Sequence, residues 1–219
     1  MTCLEFLEQG CGQLGIDLSP AQLNALCRYY QELAKWSKKM NLVAKAGMKE
    51  ILASHFLDSL TLQPHLAENN FRLLDIGTGA GFPGLALKVV CPQMQLTLVE
   101  PRTKRVSFLR HIIRTLDLSD VRVVAERLEA DNKEQLAGLG VFDVVTSRAL
   151  ANLEIFLPLV EAYCAEEGQV ICMKGPKAQE EHQEWLTSHP QSCLELVATL
   201  QYILPETAQS RQLMIFEKK

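Results

Sequence analysis

The chain has 219 residues, 47% hydrophobic and 22% charged, with a formal net charge of −4. That length holds one full domain with an ample core, and the composition excludes a disordered or low-complexity protein. Seven cysteines without a C-x-x-C pair argue against a disulfide framework and a zinc site, leaving free thiols in a reducing compartment. Helical spacing of Leu4, Leu7, Cys11 and Leu14 predicts a first helix over 3–15, stopped by Gly15. Acidic Glu5 and Glu8 stand in it where a signal peptide needs basic charge. Ser19-Pro20-Ala21-Gln22 reads as a capping box with proline at the first helical position, opening a helix to about Lys39. A third helix fits 48–62 and buries Ile51, Leu52, Phe56 and Leu60. Pro64 closes this part, so residues 1–65 are expected as a helical extension packed on a second unit, 66–219.

Beyond Pro64 the period changes. Strands are expected at 71–76, 95–100, 121–125, 141–146, 168–173, 193–203 and 212–217. Helices are expected near 83–90, 102–116, 131–138, 152–166 and 178–187. The longest apolar run, 85–91, contains Lys88 and is far short of the roughly 20 residues of a membrane span. Fully apolar strands separated by helices indicate a doubly wound α/β fold, a seven-stranded, mostly parallel sheet covered on both faces. The link from Pro205 to Ser210 is short and hairpin-like, so the last strand is expected to be antiparallel.

The stretch 75–84, DIGTGAGFPG, joins the first strand to the helix after it. Gly77, Gly79 and Gly81 permit a tight turn and close approach of a ligand to the backbone, with Thr78 and Phe82 among them. Glycines 79, 81 and 84 also satisfy G-x-G-x-x-G, so a dinucleotide reading stays open. Asp75 tilts the balance: a carboxylate repels a pyrophosphate but favours an ammonium, as on S-adenosylmethionine. Glu100 ends the second strand, where an acid can accept from ribose hydroxyls. Leu128 and Glu129 follow the third strand, where the loop flanks an adenine.

Thr146-Ser147-Arg148-Ala149-Leu150 follows the fourth strand. It lacks the Asn/Asp-Pro-Pro-aromatic device that holds an exocyclic nitrogen, and the Pro-Cys nucleophile that pyrimidine C5 methylation needs. Cys164 and Cys172 fall in a helix and a strand as core thiols. An acceptor with a free lone pair needs neither device, and guanine N7 is one. Arg148 is the candidate for holding the base or its phosphate, unless it merely pairs with a strand-end acid. Five lysines between Lys35 and Lys49, and four arginines with one lysine between Arg102 and Arg114, make two acid-free basic runs. On an acidic chain they suit a selective polyanion partner, or simply two solvated helix faces.

These residues resemble the RsmG (also called GidB) family, bacterial 16S rRNA guanine-N7 methyltransferases. The resemblance runs from about Trp36 to Lys219 and rests on Asn41-Leu42, His55-Phe56-Leu57-Asp58-Ser59-Leu60, DIGTGAGFPG, LVE (98–100), KRVSFLR (104–110), FDVVTSRAL (142–150) and MKG (173–175). It implies a class I, Rossmann-like methyltransferase fold, S-adenosylmethionine as cofactor and S-adenosylhomocysteine as product. The implied target is N7 of one guanosine in the 530 loop of 16S rRNA, position 527 in standard rRNA numbering, within the small subunit or an assembly intermediate. The family is described as monomeric, with no metal. It implies cofactor contacts at Gly77, Phe82, Leu128, Glu129 and Arg148. Lys174 and Arg211 match basic positions of an RNA face, and Asn41 and His55 are further substrate candidates. Val43 and Leu128 depart from the family's usual residues at their positions. Alternatives are a methyltransferase for a small molecule or protein, a dinucleotide-binding oxidoreductase, and a non-catalytic ribosome-assembly binder.

Overall fold

The computed structural model describes residues 1–67, 70–129, 132–148, 151–207 and 209–219. Helices α1 (Cys3–Gln13) and α2 (Pro20–Met40) each open on a reciprocal capping box, Thr2 with Glu5 and Ser19 with Gln22. Each box satisfies two of the four free N–H groups at a helix start, so both boundaries are set locally. Asn41 ends α2 in the left-handed conformation, at φ 49°. The expected helix 48–62 is a composite: α3 (Met48–Ile51), a π-helical turn over Leu52–Leu57, then α4 (Asp58–Leu60). The wide turn carries His55, and the Ser59 hydroxyl donates to the His55 carbonyl. Such turns recur at functional sites because they re-aim side chains.

Seven strands follow: β1 (Arg72–Ile76), β2 (Gln95–Val99), β3 (Val121–Val124), β4 (Phe142–Arg148), β5 (Cys164–Lys174), β6 (Leu194–Ile203) and β7 (Ser210–Lys218). They lie in the order β3-β2-β1-β4-β5-β7-β6, with β7 antiparallel to both neighbours and the other pairs parallel. Helices α5 (Gly84–Val90), α6 (Thr103–Thr115), α7 (Lys133–Leu139), α8 (Leu153–Glu161) and α9 (Ala178–Ser188) connect them. The order reverses between β1 and β4, which opens a crevice at the carboxyl ends of these strands.

Strand alternation assigns the two faces. Leu73, Leu96, Leu98 and Val144 join one apolar cluster with α1, α2, the π-helical turn, α5 and α6. Leu74, Val99 and Val145 join the other with α8 and α9. The N-terminal helices therefore share the core of one sheet face. Trp36 packs on Phe108 and His111 at ring distances of 5.5 and 4.9 Å, and Glu32 bonds His111. Gln22 bonds the Val90 carbonyl and Tyr29 the Ala80 carbonyl, so α2 runs antiparallel to α5 and to α6, which like α5 returns between parallel strands, and the C-terminal end of α2 lies toward the N-terminal end of α6. The two basic runs read from sequence thereby become neighbours, with Lys38, Lys39, Arg102 and Lys104 exposed.

Three expectations need correction. The helix expected over 152–166 ends at Glu161, and Cys164 begins β5, so Cys164 is a strand thiol. Leu153, Phe156, Leu157, Val160 and Cys164 keep a helical period, but the Tyr163 carbonyl takes the Phe142 N–H and Cys164 pairs with Phe142. Tertiary pairing overrides the period there. Arg148 ends β4, opposite Met173, instead of following it; Ala149 and Leu150 lie outside the described residues. The helix expected from 131 starts at Lys133, and Asp131 is also outside them. The seven cysteines are free thiols. No helix among the described residues is long and apolar enough to cross a membrane.

Tyr29 of α2 locks the glycine turn to the helices. Its ring stacks on Phe82 at 5.3 Å and meets Phe56 edge-on at 5.1 Å, and its hydroxyl donates to the Ala80 carbonyl. Gly81 sits at φ 96°, and a Cβ there would strike the Tyr29 hydroxyl and Leu85. Gly81→Ala is therefore expected to cost about 3 kcal/mol or more: roughly 1–2 for the left-handed backbone and roughly 1–3 for overpacking. Urea denaturation checks this; a loss below about 1 kcal/mol would show that Tyr29 yields freely.

Candidate cofactor and substrate site

A cavity of about 700 Å³ opens at the β1/β4 switch point, a volume typical of small-molecule sites. Its wall includes Gly77, Thr78, Gly79 and Phe82 from the glycine turn, Ser54, His55 and Asp58 from the π-helical turn and α4, and Arg148 from β4. Lys174, Arg211, Arg105, Leu42 and Val43 complete much of the rest. Segments far apart in sequence thus converge where the fold predicts a ligand.

The turn is shaped by positive φ at Gly77 (70°), Gly79 (62°) and Gly81 (96°). The N–H groups of Gly77 and Thr78 bond the Val99 carbonyl, tying the turn to β2. Asp75 does not line the cavity. It is fully buried, and its Oδ2 accepts from the Thr78 hydroxyl at 2.6 Å and the Gly84 N–H at 2.8 Å. Its carboxylate thus holds the loop to the start of α5. Its Oδ1 has no partner, and burial raises its pKa from 3.8 to about 6.

The raised value fixes a sign. Folded Asp75 keeps its proton to higher pH than the unfolded chain does. Its stabilising contribution is complete below about pH 4 and is lost as pH rises through about 6. A shift of about two units corresponds to about 2–3 kcal/mol. Asp75→Asn, which cannot ionise, is expected to gain stability relative to the parent by that order between pH 4.5 and 7. Parallel denaturation curves at the two pH values measure it, and a constant difference would show that Asp75 is ionised throughout.

Glu100 is 2% exposed and lies behind the wall. Its Oε2 accepts from the Gly79 N–H at 3.1 Å and faces Arg105 Nη1 at 3.4 Å, while Oε1 accepts from the Arg102 N–H at 2.9 Å. The carboxylate stands at the end of β2 as expected, with Arg105 between it and the open cavity. Arg105 belongs to KRVSFLR, which the sequence presents only as basic.

Arg148 is the hub of the opposite wall. Nη1 donates to the Ser54 carbonyl at 2.6 Å and lies 3.6 Å from Asp58 Oδ2. Nη2 lies 2.7 Å from His55 Nδ1, and the guanidinium sits 5.4 Å above the Phe82 ring. Tyr202 of β6 donates to Asp58 Oδ1 at 2.8 Å. Burial lowers the His55 pKa to about 3, with the Arg148 charge adding to it, so the imidazole is neutral. Burial raises the Asp58 pKa, and the Arg148 charge opposes this.

A family model described as "rRNA small subunit methyltransferase G" matches residues 22–213. The chain belongs to that family. The relative from Desulfotalea psychrophila, named "Ribosomal RNA small subunit methyltransferase G", is 42% identical over 210 residues, covering 95% of each chain. The one from Syntrophus aciditrophicus, of the same name, is 37% identical over 212 residues, covering 96% of this chain and 88% of its own. Among solved structures, the ribosomal protein L11 methylase from Lactobacillus delbrueckii subsp. bulgaricus superposes with TM-score 0.58 at 16% identity, covering 76% of this chain and 79% of that one. A predicted O-methyltransferase from Agrobacterium tumefaciens gives 0.58 at 20% identity over 74% and 79%. These last two show a shared Rossmann-like methyltransferase fold.

Gly77, Thr78, Gly79, Phe82, His55, Arg148, Lys174 and Arg211 share the cavity wall. Gly81 lies against Tyr29 behind it. Asn41 is exposed as the cap of α2, and its neighbours Leu42 and Val43 line the wall in its stead. Leu128 is buried in the second core cluster, and Glu129 is exposed beside Gln135, both off the wall. Lys174 donates to the Ala151 carbonyl and pairs with Glu181 at 2.8 Å. Asp58, Ser54, Arg105 and Tyr202 enter as site residues that sequence reasoning left unassigned. Only the H-x-x-D spacing of His55 and Asp58, nearly one helical turn, pointed toward any of them.

The cradle fits S-adenosylmethionine. A Cβ on Gly79 would project toward Arg105 Nη1 at 3.6 Å, into the space a ligand would use. The Glu100 carboxylate, which takes the Gly79 N–H, stands beside the turn as an acceptor suited to ribose hydroxyls once Arg105 moves aside. Among the described residues no group of His, Cys, Asp or Glu is arranged to hold a metal.

Proposed function

We propose that this protein methylates N7 of a guanosine in the 530 loop of 16S rRNA, at the position numbered 527, using S-adenosylmethionine. Family membership supports an rRNA of the small subunit as substrate, since the relatives carry that in their names. The observation that carries the choice of acceptor is the wall around Arg148. Among the described residues it holds a neutral imidazole, a paired guanidinium and no thiol, and the Cys172 thiol is buried, with its pKa raised by burial. The imidazole, with its pKa lowered to about 3, is a weak base, and the Asp58 and Glu181 carboxylates are engaged by Arg148, Tyr202 and Lys174, so none of them is poised to strip a proton from an amino group or hydroxyl. Guanine N7 needs no base, because its lone pair is free.

Bound S-adenosylmethionine supplies an electrophilic methyl group on a sulfonium. The glycine turn and Glu100 hold that cofactor, while Arg148 and His55 orient the base opposite it. Orientation of this kind can supply roughly 7–11 kcal/mol of a barrier. The reaction moves a positive charge from sulfur to purine without creating one. The guanidinium cost to that charge is offset by Asp58, 3.6 Å from Arg148. The adjoining ends of α2 and α6, with Lys38, Lys39, Arg102 and Lys104, suit rRNA phosphates beside the cavity. The protein acts as a monomer in the cytoplasm in this reading.

The test is methyl transfer from labelled S-adenosylmethionine to small subunits from cells lacking the gene, and to naked 16S RNA, with N7-methylguanosine mapped by aniline scission. A single new stop in the 530 loop is the expected result. RNA binding should also weaken steeply with salt. Cofactor binding with no label in RNA would instead favour a small-molecule or protein acceptor.

A further inference from the structure

We propose that His55 reads the target base: its Nε2–H donates to O6 of guanine, which selects guanine over adenine while N7 stays free. The inference rests on the reaction proposed above and names the group that recognises its substrate.

The proton position follows from the neighbour. A guanidinium carries donors only and stays charged, so Arg148 Nη2 at 2.7 Å obliges His55 Nδ1 to accept. The single proton of a neutral imidazole must then sit on Nε2. Burial and the Arg148 charge, which hold the ring neutral, agree with this assignment. The ring cannot swing freely, because it stacks on Phe82 at 5.2 Å with planes 29° apart. Its backbone is fixed by the π-helical turn, whose Ser54 carbonyl takes the other Arg148 nitrogen. Arg148 is steadied in turn by Asp58, and Asp58 by Tyr202. Asp58 and Tyr202 are thus positioning residues.

That leaves one fixed donor. Among the described residues Nε2 has no hydrogen-bond partner, and it is not sealed off from the cavity that His55 lines. Guanine presents two acceptors side by side, N7 and O6; adenine presents N7 and an N6 amino donor. A donor opposite position 6 donates to guanine O6 and meets another donor at adenine N6. A neutral donor on O6 also leaves the N7 lone pair unprotonated for attack.

The test uses small subunits reconstituted with 16S RNA whose target guanosine is replaced by 2-aminopurine, which keeps N7 and lacks O6. His55→Asn keeps an acceptor for Arg148 and removes the ε donor; His55→Gln returns an N–H at that reach. The parent is expected to lose about tenfold or more in kcat/KM on the 2-aminopurine subunit. His55→Asn should lose about as much on guanosine and nothing further on 2-aminopurine, and His55→Gln should recover most of it. The S-adenosylhomocysteine Kd and the thermal midpoint should stay close to the parent values. Independent, multiplying losses from His55→Asn and 2-aminopurine overturn the contact, as does a loss in His55→Asn that tracks weakened cofactor binding. A parent that binds S-adenosylhomocysteine but never methylates guanosine removes the proposed reaction itself, and this contact with it.

Discussion

Arg148→Ala is expected to lower methyl transfer about 10³-fold while leaving S-adenosylhomocysteine binding within about tenfold. Removing one fixed donor aimed at a reacting group typically costs 10²–10³. Here the same deletion also frees the His55 ring, whose Nδ1 is held at 2.7 Å by Arg148. The fold suffers as well. Asp58 is 3% exposed and would lose its cation, and breaking a buried pair typically costs about 3–5 kcal/mol. Protonation of Asp58 relieves part of that, because burial already raises its pKa and the opposing Arg148 charge would be gone. Arg148→Lys is expected to restore stability better than activity. One ammonium can pair with Asp58, but it cannot also reach the Ser54 carbonyl and His55 Nδ1 in a fixed plane. Single-turnover transfer, cofactor titration and denaturation on the same preparations separate the three effects. Transfer within tenfold of the parent would remove Arg148 from the centre of the site.

The parts legible in the sequence are those governed by neighbours in the chain. Ser19 and Gln22 set the start of α2 three residues apart, and DIGTGAGFPG makes its turn with glycines whose φ values only glycine adopts readily. The strand–helix alternation is local too, and the antiparallel β7 follows from a short link. What was not legible is decided across the fold. The start of β5 is hidden because Phe156, Val160 and Cys164 keep a helical spacing, and only pairing with Phe142 ends the helix. The π-helical turn has no composition mark of its own. Asp75 illustrates the limit at the site: a carboxylate before a glycine turn invites an ammonium, yet its oxygens are engaged or buried within the loop. Asn41 likewise matches its motif but serves as a helix cap, and Leu128, which departs from the family's usual residue, is a core side chain. Arg105 was legible only as one charge in a basic run, because its partner, Glu100, is five residues away across a strand end and a helix start.

Glu100→Ala and Arg105→Ala are expected to move cofactor affinity in opposite directions. Glu100 offers a carboxylate at the end of β2, suited to two ribose hydroxyls, and hydrogen bonds to a charged acceptor are worth about 1.5–3 kcal/mol each. Its loss should weaken S-adenosylhomocysteine binding about 10²-fold or more, the more so because the Gly79 and Arg102 N–H groups lose their acceptor and the turn loosens. Arg105 stands where the ribose must come, 3.4 Å from Glu100 Oε2 with its side chain 29% exposed. Glu100 is buried, but Arg105 is partly open and the pair is long, so ribose hydroxyls can take over the carboxylate as the guanidinium leaves, at a small net cost. Arg105→Ala removes that cost and should tighten binding a few-fold. The displaced guanidinium would swing out beside Arg102 and Lys104, where RNA phosphates are expected, so the same variant should weaken RNA binding and reduce its salt slope by about one. Calorimetric titration of both variants decides the matter. Weaker cofactor binding in Arg105→Ala would mean that Arg105 touches the cofactor instead of yielding to it. Unchanged binding in Glu100→Ala would mean that the carboxylate serves the glycine turn alone.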